Sequence, residues 1–138
     1  MVQGPHLSGV VIFVRDLDRS VTFYRDLLGL EVVDSSPTAA LLAVADGCHL
    51  VLRATGGGIP RPLGAIGLQY ATWMLPSRAD LDRAEEMLKN RSAYVETRTV
   101  GGTTSVEGHD PDDLTIVLTY SKDAQMPLRE LPSRIYAW

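Results

Sequence analysis

The chain has 138 residues, 45% of them hydrophobic, enough for one domain that buries roughly two-thirds of its unfolded surface. A formal net charge of −4 excludes the basic face that a nucleic-acid partner needs, and no apolar run approaches the ~20 residues of a membrane helix. The single cysteine, Cys48, excludes an internal disulfide framework, and the opening M-V-Q-G-P-H lacks the charged-then-apolar pattern of a secretion signal, so a cytoplasmic location is expected.

Residues 1–8 read as a lead-in. Val10 to Val14 is a short β-branched apolar run, which predicts a first strand over Gly9–Val14. Asp16 stands where an N-cap carboxylate accepts from the first free N–H groups of a helix. Leu17, Val21, Tyr24, Leu27 and Leu28 then recur at helical spacing, and Gly29 follows at the usual left-handed closing position. Strands are predicted over Leu30–Asp34, Ala39–Val44 and Cys48–Ala54, with Ala45-Asp46-Gly47 as a hairpin turn. Residues 55–65 are rich in Gly and Pro and read as a linker between halves. Their three consecutive glycines lack the following G-K-S/T and the strand–loop–helix setting of a phosphate loop.

The second half repeats the first. A strand over Leu68–Leu75 leads to Ser77 as an N-cap, with Asp80 suited to the positive end of the helix. Leu81, Ala84, Met87 and Leu88 mark the apolar face of a second helix, and Asn90 is expected to take the left-handed conformation at its end. Strands follow over Ala93–Thr99, Thr103–Gly108 and Leu114–Tyr120, with Gly101-Gly102 as a turn. The last strands of the two halves align without gaps, His49–Leu52 over Thr115–Leu118, which supports a duplicated βαβββ unit. Residues 121–138 lie outside the repeat, and their apolar side chains are expected to cover the sheet or a partner subunit. Asp110, Asp112 and Asp113 read as a solvated turn, and the acidic run Asp80–Glu86 as a solvated helix face.

The segment D-L-D-R-S…F-Y…L-L-G-L, Asp16–Leu30, and the segment D-P-D-D-L-T-I-V-L, Asp110–Leu118, resemble the signatures of the vicinal oxygen chelate superfamily, which includes glyoxalases, bleomycin-resistance proteins and extradiol dioxygenases. The resemblance spans nearly the whole chain up to Tyr120. It implies an α+β fold in which two βαβββ repeats, residues 9–54 and 66–120, form a curved mixed sheet around a cavity within a single domain. It also implies frequent pairing of two chains, so a homodimer is expected. In metal-using members, four inward side chains of His, Gln or Glu type ligate one divalent cation. Carried across by motif, those places fall on Gly9, Val51, Tyr70 and Val117. Glycine and valine offer no donor atom and a neutral tyrosine is a poor one. No metal or other cofactor is therefore expected.

The strand period of two groups the remaining candidates. Val11 and Phe13 share parity with Gly9, His49 and Arg53 share it with Val51, Thr72 with Tyr70, and Thr115 with Val117. Gly9, Val11, His49, Val51, Arg53, Tyr70, Thr72, Thr115 and Val117 thus form the expected lining of an organic-ligand site. Val11, Leu68, Val51 and Val117 suit a core as well as a lining, and Phe13 and Trp73 read as core.

Three functions remain open. The first is metal-independent binding of a small, aromatic or heterocyclic molecule, for sequestration or resistance. The second is a metal-free isomerase, cyclase or lyase, with His49 as general base and Tyr70 as general acid or oxyanion donor. The third is a glyoxalase or dioxygenase whose metal is held by displaced ligands among His6, His49, Gln69, Glu107 and His109.

Overall fold

The computed structural model describes residues 4–55 and 66–122. Its elements run β1 Gly9–Val14, α1 Leu17–Leu28, β2 Glu31–Ser35, β3 Ala39–Ala43, β4 His49–Ala54, β5 Ala71–Met74, α2 Arg78–Asn90, β6 Tyr94–Val100, β7 Thr103–His109 and β8 Thr115–Ser121. Nearly all of the expected linker and tail, residues 56–65 and 123–138, lies outside the described residues. Contacts divide the chain into two compact units, Met1–Ile59 and Pro60–Trp138.

Each unit is one βαβββ repeat with the same strand order. The first sheet runs β1-β4-β3-β2 and the second β5-β8-β7-β6. In each, the first strand pairs parallel with the last, and the remaining pairs are antiparallel. Neither sheet is closed. The intervening helix has to lie on one face of its sheet, because a parallel pair needs a crossover connection.

In the first unit, Asp16 caps α1 as expected, its side chain accepting from the Arg19 N–H at 3.1 Å, and Gly29 closes the helix with φ of 66°. The helix packs on β3 and β4. Its buried residues are Ser20, Phe23, Tyr24 and Leu27, against Ala40, Leu42, Leu50, Leu52 and Val14 of the sheet. The expected stripe is therefore rotated towards Phe23 and Ser20, while Leu17 and Val21 are only half-buried. Phe23 and Tyr24 meet edge to face, with centroids 5.3 Å apart.

The second unit starts later than the sequence suggests. The expected strand from Leu68 is regular only over Ala71–Met74, and Leu68 is exposed. Ser77 caps α2, and Leu81, Ala84 and Leu88 are buried against Val106, Ile116 and Leu118. Asn90 is the last helical residue instead of the left-handed one; Ser92 takes that conformation, with φ of 55°. The Arg91 N–H still bonds back to the Met87 and Leu88 carbonyls, so the reversal is delayed by two residues.

Two glycines on the strands differ in what they permit. A Cβ on Gly108 would stand 2.6 Å from the Ala93 carbonyl oxygen and 2.9 Å from the Leu88 side chain. Glycine is required there by the close approach of α2 and the chain after it to β7. A Cβ on Gly9 would meet only the His49 carbonyl oxygen, at 3.4 Å, an ordinary contact.

Candidate functional site

The helices fix which side chains face outward from each sheet. In the first unit the helix face carries Val14, Leu50 and Leu52, so Gly9, Val11 and Phe13 of β1 share the open face with His49, Val51 and Arg53 of β4. The register pairs Gly9 with His49, Val11 with Val51 and Phe13 with Arg53. The five sequence-predicted residues of this half are therefore brought together. Phe13 is not core, however. It is 66% exposed and Val11 59%, because both point away from α1.

In the second unit, Arg78 of α2 donates to the Thr104 hydroxyl at 3.3 Å, and Thr97 donates to Glu85 of α2 at 3.0 Å. Gly108 also abuts α2. Thr97, Thr104, Val106 and Gly108 thus define the helix face. Arg98, Ser105, Glu107 and His109 define the open one, in the rows that their register sets. Thr72, Val117 and Glu107 are successive cross-strand partners on that face, and Thr119 lies between Met74 and Ser105 in the next row. Thr115 pairs with His109. Tyr70 immediately precedes β5, two residues before Thr72, and its hydroxyl is shielded from solvent.

The two open faces differ chemically. That of the first sheet is apolar and exposed at Val11 and Phe13. That of the second is polar and buried at its centre, where Ser105, Glu107 and Thr119 are at most 6% exposed and Val117 equally buried, while Thr72 and Met74 on its β5 edge are exposed. The alternation T-x-S-x-E-x-H over Thr103–His109 carried this signal in the sequence. Thr119 shares strand parity with Val117 and so follows from the period of two, whereas Arg98 and Ser105 stand on β6 and β7, which carry no position equivalent to a metal ligand, and periodicity alone does not single them out.

The turn before β8 also departs from expectation. Asp110 is 3% exposed, and its Oδ1 accepts from the Asp112 N–H at 2.9 Å and the Leu114 N–H at 3.0 Å. It is a buried turn-former, while Asp113 is exposed with φ of 66°.

A model of the Glyoxalase/Bleomycin resistance protein/Dioxygenase superfamily matches residues 6–131. The chain belongs to this superfamily. It is 32% identical over 95 residues to catechol-2,3-dioxygenase of Bacillus subtilis (strain 168), covering 65% of this chain and 33% of that protein. It is 30% identical over 118 residues to biphenyl-2,3-diol 1,2-dioxygenase 3 of Rhodococcus globerulus, covering 81% of this chain and 61% of that one. The chain thus spans about a third and about three-fifths of the lengths of these two relatives. Among solved structures, a glyoxylase/bleomycin resistance protein/dioxygenase domain from Frankia sp. EAN1pec superposes with a TM-score of 0.74 at 24% identity, covering 87% of this chain and all of that one. That likeness concerns the fold.

Within the superfamily's frame, Gly9 stands to Val51 as Tyr70 stands to Val117. Each first residue lies two positions before the partner of the second, since Val11 pairs with Val51 and Thr72 with Val117. The duplication therefore places the four residues at equivalent points of the two sheets. Three of the four have no donor atom, so these positions do not fit a divalent cation. Among the described residues no group of three or more His, Cys, Asp or Glu side chains is placed to hold a metal ion. His49 lies in the first unit and Glu107 and His109 in the second, where the His109 Nδ1 faces the Asp113 carboxylate at 3.8 Å.

Proposed function

We propose that this member of the superfamily binds a small aromatic or heterocyclic molecule on an open sheet face without a divalent metal. The observation that carries the reading is the donor-free set Gly9, Val51 and Val117 at register-equivalent places of the duplicated fold. On the first unit's open face the exposed Val11 and Phe13 give an aromatic body apolar surface to bury beside His49; on the second unit's, Tyr70 and Thr72 give hydrogen-bonding groups. The names of the two relatives, which act on catechol and on biphenyl-2,3-diol, support an aromatic ligand.

The same names favour a second reading, in which the ligand is turned over. Without a metal, that reading rests on His49 as base and Tyr70 as acid. With one, it needs ligands gathered from His6, His49, Gln69, Glu107 and His109. Metal content after incubation with iron, manganese, zinc or nickel and desalting separates the readings. Near-zero metal with a ligand-induced thermal shift supports binding without metal; one tightly held ion per chain overturns it. Recovery of chemically altered ligand from metal-free protein favours turnover, and an undiminished rate in His49→Ala would then remove His49 from the chemistry.

The proposal includes a homodimer in the cytoplasm. β1 is an edge strand, whose unpaired backbone groups suit a second copy. A monomer in sedimentation at micromolar concentration would refute the dimer. No helix among the described residues is long and apolar enough to cross a membrane.

A further inference from the structure

Among the described residues of the second unit, the guanidinium of Arg98 is a polar group whose placement folding does not explain. It stands on β6, on the open face, directly across from Ser105, in the row that continues through Thr119 to Met74. Part of Arg98 reaches solvent, yet its Nη1 is shielded and has no hydrogen-bond partner among the described residues. An N–H of a charged group, taken from water and given no acceptor, is strongly unfavourable, and arginine presents five donors in a planar fork that matches a carboxylate. Hydroxyls at Ser105 and Thr119 extend the row with groups that donate to an anion. Thr119 donates to the Met74 sulfur at 3.6 Å, a weak acceptor that an oxygen would displace.

We propose that Arg98 is a binding residue for an anionic oxygen of the ligand, and that the ligand is an aromatic monoacid, a carboxylate or ionised phenol on an apolar ring. Glu107 sits two positions along β7 from Ser105 on the same face and is buried. Its carboxylate opposes a second anionic group at that end and accepts from a neutral hydroxyl, so it favours a ligand whose charge is confined to the Arg98 end. The apolar ring then lies towards Val117. This inference rests on the proposed binding of a small aromatic molecule, and the test separates the two.

Three probes that share one aromatic body decide it: para-phenylbenzoate, para-phenylbenzyl alcohol and para-phenylbenzylamine, titrated calorimetrically against the full chain. The benzoate is expected to bind about tenfold or more tightly than the alcohol, with the amine weakest. In Arg98→Gln that preference is expected to vanish; Arg98→Lys retains the sign of the preference with a smaller ratio. Equal affinity for the three probes would leave the aromatic site standing and overturn the role of Arg98. A benzoate preference that persists in a folded Arg98→Gln would also overturn it. Saturable binding by none of the three would overturn both readings. Should Arg98→Gln not fold, the wild-type order of affinities and the Arg98→Lys ratio still decide.

Discussion

Single side chains in this fold have opposite tolerances at chemically identical positions. Gly108→Ala is expected to destabilise the chain by about 1–3 kcal/mol, because its Cβ would enter the Ala93 carbonyl and the Leu88 side chain. Gly9→Ala is expected to be neutral or to stabilise by up to about 1 kcal/mol, since a strand glycine gives up more backbone freedom than alanine. Urea midpoints of the two variants measure the contrast. Ser20 offers a third case. It is fully buried under the sheet in the middle of α1, and its hydroxyl has no hydrogen-bond partner among the described residues. Removing the hydroxyl in Ser20→Ala should stabilise by about 1 kcal/mol, read as a rise in thermal midpoint. None of these three outcomes was legible from sequence. The strand period assigned Gly9 its face correctly, but periodicity carries no distance, and distance alone separates Gly9 from Gly108.

At the scale of elements, capping and turn chemistry was largely readable. Asp16 and Ser77 are caps in the structure because a short acceptor before an apolar helical stripe has few other uses. The reading failed where tertiary burial overrode local preference, as at Asp110. Its carboxylate holds the turn into β8 from within, so Asp110→Ala would leave the Asp112 and Leu114 N–H groups without that acceptor. A loss of about 2–3 kcal/mol in chemical denaturation is expected, with Asp110→Asn retaining part of it. On the far side of the unit, α2 is tied to β6 by a polar cluster. Lys89 donates to Glu85 at 3.0 Å, Glu85 accepts from Thr97, and the Lys89 ammonium lies 4.8 Å from the centre of the Tyr94 ring. The hydrogen bond to Glu85 holds the Lys89 pKa above the ordinary lysine value. Its contribution is therefore complete below the unfolded lysine pKa and is lost as pH rises through the higher folded value. The stability difference between wild type and Lys89→Gln should be flat from pH 7 to 9 and shrink above about pH 10. Urea melts of both proteins across that range check the sign.

For the whole molecule, the duplication is the feature that sequence conveyed best and function conveyed least. The gapless match of His49–Leu52 with Thr115–Leu118 corresponds to two β4-type strands in the same register relation to their parallel partners. The motif residues that reveal the superfamily, Asp16, Gly29 and Asp110, serve caps and turns, which is why they announce a fold and are silent about chemistry. At the places where metal-using members carry ligands, this chain has Gly9, Val51 and Val117, which is legible in the sequence. The row that joins half-buried Arg98 to buried Ser105 and Thr119, beside Glu107, depended on which strands became neighbours.

The parallel pairing of the first and last strand in each repeat has a consequence for how the chain reaches this state. About forty residues separate Gly9 from its partner His49, and a similar length separates Ala71 from Ile116. Closing such loops costs entropy before the pairing returns any contact, whereas the β2–β3 and β6–β7 hairpins close over a few residues. Each repeat should therefore assemble its hairpins first and dock β1 or β5 last. Weakening β1 then chiefly accelerates unfolding, and the rim carrying Gly9 and Val11 is the first part of its repeat to open and the last to close.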